Sequence, residues 1–157
     1  MKIEILVTGK TKTDFFKKGI EAYLCRLLHY VPCALVELPD VKVAAARGEA
    51  GQKIAEGKQM MSYFEQSDTV VLLDERGTQF SSREFAGFMQ KRMASGAKRL
   101  LFVVGGPYGF SDEVYQRANY KMSLSRMTFP HDMVRLIFVE QLYRAMSILR
   151  NEPYHHD

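Results

Sequence analysis

The chain has 157 residues, 46% of them hydrophobic and 25% charged, with 22 Lys and Arg against 18 Asp and Glu for a formal net charge of +4. That length and apolar content suit one domain with a real core over residues 1–157, and no apolar run approaches the roughly 18 residues of a membrane span. Without an apolar signal segment at the start, and with only Cys25 and Cys33, the chain is expected to be cytoplasmic with free thiols; His29, His131, His155 and His156 lack zinc-site spacing, so no metal is expected.

Residues 2–7 predict a strand and residues 8–11 a turn. Thr13 is a candidate cap for a helix to about His29, because Phe15, Ile20, Tyr23, Leu24, Leu27 and Leu28 recur at helical spacing before Pro32. Residues 33–38 form the next strand pattern, followed by a helical stretch over 47–64 whose Gly48, Gly51 and Gly57 weaken its intrinsic propensity. An apolar strand at 69–74 then turns through Glu75, Arg76 and Gly77 toward Ser81, which with Glu84 has capping-box spacing for a helix stopped by Gly96.

The strand pattern at 99–104 breaks into Gly105, Gly106, Pro107 and Gly109 before a helix over about 111–119. A short strand at 122–125 follows, then a loop to Pro130 and a long helix over about 131–150. Alternating strands and helices imply an α/β fold, a mostly parallel sheet with helices on both faces. Apolar residues wrap more than one face of the last helix, so it is either central to its domain or covered by another subunit. Residues 115–150 hold Arg117, Lys121, Arg126, Arg135, Arg144 and Arg150 against only Asp132 and Glu140, a balance that permits RNA binding without requiring it. Phosphate-loop, dinucleotide-fold and hydrolase-elbow motifs are missing.

The segments VVGGPYG, SLSRMTFPHDMVRLIFVEQLYRA and EPYH, with the opening MKIEILVTGK and LLDERG at 72–77, resemble the SPOUT-class trefoil-knot methyltransferases. In particular they resemble the family that methylates N3 of a pseudouridine in large-subunit (23S) ribosomal RNA. The resemblance spans the chain and implies a C-terminal trefoil knot, a homodimer, S-adenosyl-L-methionine as cofactor and ribosomal RNA within the ribosome as partner. It maps cofactor contacts onto Leu73, Gly105, Leu124, Ser125, Arg126, Met127, Thr128 and Phe129, and catalytic candidates onto His131, Arg135, Glu140, Tyr154 and His155.

Such chemistry suits those residue types. The sulfonium carries an activated methyl, so the protein must align the groups, exclude water and leave the imide nitrogen deprotonated, for which a histidine, carboxylate or arginine serves. Structural alternatives remain open: His131 could cap the long helix, Glu140 could pair with Arg144 at i,i+4, and the tail could fray. The chain ends in His156 and Asp157 where the family is expected to carry a basic residue. The rival to an enzyme is a non-catalytic RNA-binding or ribosome-assembly factor on the same fold.

Overall fold

The structure, a computed structural model, describes residues 1–156. Strands β1 (Lys2–Thr8), β2 (Cys33–Leu38), β3 (Thr69–Gln79), β4 (Arg99–Val104) and β5 (Tyr120–Ser123) form one sheet in the order β2-β1-β4-β3-β5, with every pairing parallel. Between them lie α1 (Asp14–Leu27), α2 (Gly48–Tyr63), α3 (Ser82–Ala94), α4 (Asp112–Arg117) and, last, α5 (His131–Leu149).

Period-2 geometry divides each central strand between two cores. Ile3, Ile5, Leu100 and Phe102 face Ile20 and Leu27 of α1, Phe85 and Met89 of α3, and Phe138 and Leu142 of α5. On the other face Leu6, Leu72, Leu101 and Val103 meet Met60 of α2, Val114 of α4 and Phe110 just before it. Both faces of the sheet are thus covered, as the alternation of strands and helices predicts.

Helix α5 is central to its own domain, packed between α1 and α3, with Phe138, Val139 and Leu142 fully buried. Much of the wide apolar surface read from its sequence is therefore consumed within the chain. Met133 and Ile137, one turn apart, are half-buried and lie outside the main core cluster.

Three local expectations are corrected. Strand β3 does not end at Asp74: after a bulge between Leu73 and Thr78 it pairs again with Met122 and Ser123 of β5. Gly77 allows this, since a Cβ there would lie 2.6 Å from the Met122 backbone. Strand β5 runs over Tyr120–Ser123 rather than 122–125, its entry fixed by Asn119, whose Oδ1 accepts the Val70 N–H at 2.8 Å. Thr13 makes no side-chain cap on α1; instead Asp132 of α5 accepts the Lys12 and Thr13 N–H groups at 3.0 and 3.2 Å. The Ser81–Glu84 capping box of α3 is present in both directions.

Candidate active site

Parallel strands place all their C-terminal ends on one edge, where loops rather than ladders must satisfy the backbone, and such edges form ligand crevices in α/β proteins. Here the ends of β3, β4 and β5 and the start of α5 open on a cleft of about 1020 Å³. Three segments converge on it. The bulge within β3 contributes Leu73, Asp74, Glu75 and Arg76; the glycine loop at the end of β4 runs from Val104 to Phe110; the end of β5 and the segment after it contribute Ser123, Leu124, Ser125, Met127, Thr128 and Phe129. His131 and Val134 close one end, and Glu49, Ala50 and Lys53 of α2 form a facing wall.

Local hydrogen bonds shape these loops. Gly109, at φ +80°, donates its N–H to the Gly106 carbonyl at 3.2 Å and folds the glycine loop back on itself. A Cβ on Gly105 would come within 3.0 Å of the Phe110 ring, so the absence of a side chain lets that ring pack beneath the loop. Ser123 Oγ donates to the Ser125 carbonyl at 2.9 Å, while Ser125 Oγ accepts the Met127 N–H at 3.0 Å. Asp74 Oδ1 accepts the Arg76 N–H at 2.9 Å, and its other oxygen accepts the Tyr115 phenol. Burial, followed by that hydrogen bond to Asp74, pushes the Tyr115 phenol up to about 12, so it remains a donor at neutral pH.

Of the cofactor candidates, Leu73, Gly105, Leu124, Ser125, Met127, Thr128 and Phe129 line the cleft, whereas Arg126 is exposed and does not. Met127, 76% exposed, forms rim rather than wall. Of the catalytic candidates only His131 lies in the cleft; it is exposed, and the helix cap falls to Pro130 without a side-chain bond. Arg135 is buried and turned away, donating to Thr11 Oγ1 at 3.0 Å and the Thr8 carbonyl at 2.8 Å. Burial pulls its guanidinium below its usual value against the opposing charges of Asp132, Glu37 and Asp40.

Glu140, Tyr154 and the tail gather elsewhere. Glu140 Oε1 accepts Arg144 Nε at 3.0 Å and the Tyr154 phenol at 3.1 Å, and the Tyr154 ring packs edge-on against Tyr143 at 4.7 Å. The Tyr154 hydroxyl also lies 3.0 Å from that of Tyr23. Burial, with the Tyr23 bond and the Glu140 charge, raises this phenol well above its ordinary value and keeps it protonated. Residues 153–155 form a 3-10 turn, so the tail is docked to this point; Asp157 lies outside the described residues.

Sequence reasoning missed Asp74, Tyr115 and the α2 wall. The available signal was the glycine content of α2: a Cβ on Gly57 would fall 2.2 Å from Ser111 Oγ, so that glycine lets α2 and α4 approach and close the cleft. Among the described residues no cluster of three or more His, Cys, Asp or Glu side chains gathers as for a metal. Among the described residues no helix is long and apolar enough to cross a membrane.

A sequence family described as "Predicted SPOUT methyltransferase" matches residues 1–155, and the chain belongs to that family. Its relatives are more particular. A "Ribosomal RNA large subunit methyltransferase H" from Parabacteroides distasonis is 50% identical over 157 residues, covering all of both chains. A protein of the same description from Christiangramia forsetii is 53% identical over 156 residues, covering 99% of each chain. The solved SpoU methyltransferase AviRb from Streptomyces viridochromogenes, in complex with AdoMet, aligns with 96% of this chain and 61% of its own at 13% identity and a TM-score of 0.48.

Proposed function

We propose that this chain is a single-domain methyltransferase that moves a methyl group from S-adenosyl-L-methionine to N3 of a pseudouridine in large-subunit ribosomal RNA, acting in the cytoplasm as a knotted homodimer on assembled ribosomes. The observation that carries the reading is the convergence of three loops, from the neighbouring strands β4, β3 and β5, on one cleft. The full-length likeness to large-subunit ribosomal RNA methyltransferases supports the choice of substrate class.

The residues present fit the cofactor. Gly105 and Gly106, whose Cβ positions would collide with Phe110 and Glu56, hold the loop low over those side chains, Leu73, Val104 and Leu124 offer apolar walls, and the backbone around Ser125–Met127 supplies polar edges. When bound, the cofactor supplies a sulfonium-activated methyl. The protein's part is orientation, exclusion of water and control of the acceptor proton, and His131 is the titratable candidate nearest the loops.

Tyr154 and His155 are not among the residues that line that cleft. Glu140, which holds Tyr154, lies nine residues along α5 from His131, about 13 Å at a helical rise. A tail held there serves the cleft of a second subunit, which makes the active site composite. The half-buried Met133 and Ile137, with exposed Met127 nearby in sequence, offer an apolar strip for that contact. Leu142 is fully buried and would report on folding instead, so Ile137→Glu is the variant that should shift the dimer toward monomer in sedimentation.

The test of activity is methyl transfer to ribosomes lacking the modification, read by mass spectrometry; binding without transfer would favour an assembly factor. S-adenosylmethionine at about 100 times its dissociation constant should stabilise the chain by about 2.7 kcal/mol, while ATP and NAD should not. Mixing subunits lacking residues 154–157 with Gly105→Val subunits should restore activity that neither homodimer has. No recovery in verified mixed dimers would refute the composite site.

A further inference from the structure

Glu56 is a buried charge without a complete set of partners. It sits on α2 one turn beyond the cleft wall, is only 4% exposed, and is gripped on one side: Gln52 Nε2 donates to Glu56 Oε1 at 2.9 Å and to the Val41 carbonyl at 2.6 Å. Its other oxygen, Oε2, has no hydrogen-bond partner. Burying a carboxylate oxygen this way is costly unless a donor reaches it in the working state of the protein.

That free oxygen is aimed at the glycine loop. A Cβ on Gly106 would lie 2.2 Å from Oε2 and 2.9 Å from the carboxyl carbon, so glycine is the residue that lets the loop rest directly on the carboxylate. Phe110 fills the neighbouring space below Gly105, and Gly57, next to Glu56, abuts Ser111 at the start of α4. Glu56 is therefore locked between helix and loop, with Gln52 fixing the rotation of its carboxyl group.

Resting on the cofactor assignment above, we propose that Glu56 is the positioning residue of the glycine loop, its free Oε2 accepting a loop N–H when the loop closes on the cofactor. The carboxylate touches neither substrate nor reacting atoms. It acts through Gly106, coupling cofactor binding to the loss of a buried unsatisfied oxygen. Such a bond lowers the energy of the closed loop, the state that holds the ligand, which is how a position outside the cleft controls affinity within it.

The test measures binding of S-adenosylmethionine and S-adenosylhomocysteine by calorimetry, with hydrogen exchange of residues 104–110 followed with and without ligand. In the native chain, ligand should slow exchange in that segment. Glu56→Gln, which presents an amide where the free acceptor was or loses the Gln52 bond, should weaken both ligands by about tenfold and abolish the protection, while apo melting changes little. Unchanged affinity and protection in Glu56→Gln would overturn the proposal. The pair Gly106→Ala and Gly106→Ala/Glu56→Ala separates space from acceptor: removing the carboxylate makes room for the new methyl. Continued weak binding by the double variant supports the acceptor role; binding restored to the native level would show that Glu56 merely fills space. If the native chain binds neither ligand, the cofactor assignment fails and takes this proposal with it, a result distinct from a native chain that binds and a Glu56→Gln chain that binds equally.

Discussion

The two edges of the sheet carry polar groups of opposite character. At the N-terminal edge Arg99 donates through Nε to Asp68 Oδ1 at 2.7 Å and through Nη1 to Glu4 at 3.1 Å, while Tyr63 donates to Glu4 at 2.6 Å and Lys2 sits 2.6 Å from it. Asp68 also accepts the Glu65 N–H at 2.8 Å. At the C-terminal edge Glu56 Oε2 is buried without a partner directly beneath the glycine loop that lines the cleft. The Arg99 network is satisfied within itself, whereas the Glu56 carboxylate is only half satisfied beneath a loop of the cleft, so buried charge alone does not mark a functional site.

Breaking the closed edge should produce the largest effect. Arg99→Met leaves Asp68 buried without its cation and Glu4 with Lys2 alone, at a cost of about 3–5 kcal/mol in urea unfolding. The same network predicts a pH dependence. Burial raises the Glu4 carboxyl, but hydrogen bonds from Lys2 and Tyr63 and the charge of Arg99 outweigh it and hold the group below its ordinary 4.5. For Asp68 burial is likewise outweighed, chiefly by the Arg99 hydrogen bond and the Glu65 N–H, and the group falls below 3.8. Folded values below the unfolded ones mean that this stabilisation is complete above the unfolded values and drains away as the pH falls through the folded ones. Unfolding followed from pH 6 to 2 should show that loss in the native chain and a flatter slope in Arg99→Met.

The open edge should respond in binding more than in stability. Gly105→Ala places a methyl 3.0 Å from the Phe110 ring. The ring must yield, at about 1–3 kcal/mol of local repacking, and the loop it supports should lose about tenfold in S-adenosylmethionine affinity while the urea midpoint moves less than in Arg99→Met. Equal losses of stability at the two edges would erase the distinction between them.

What was legible in the sequence follows the same division. The apolar run 99–104 and the Ser81–Glu84 spacing are local signals and landed as read, and the run 69–74 forms the first part of β3. The continuation of β3 past Asp74 was not local, because its second pairing joins Thr78 and Gln79 to Met122 and Ser123, 44 residues further along the chain. Asp132 as the group that receives the Lys12 and Thr13 N–H donors was hidden for the same reason. The cofactor loops could be named through family motifs, whereas the separation of His131 from Glu140 and Tyr154 needed the helix between them to be seen as rigid and the tail as docked. Glu56 had no sequence signal of its own: a glutamate in a glycine-rich helix looks like solvated surface until Gly106 is placed against it.

The smallest expected effect, and the finest probe of the open edge, comes from Tyr115. Its phenol donates to Asp74, and its ring stands edge-on to Phe110 at 5.8 Å, so it ties the bulge within β3 to the floor of the glycine loop. Tyr115→Phe keeps the ring and removes only the hydroxyl. Because Asp74 lines an open cleft, water can replace the lost donor, and the stability cost should stay near 1 kcal/mol. Cofactor affinity should fall about threefold if the tie orients the bulge. With the phenol pushed up to about 12, that decrement should be the same at pH 6 and pH 9, since the donor is protonated throughout. A decrement that vanished at pH 9 would mean that the phenol ionises there and that the bond to Asp74 does not set its proton.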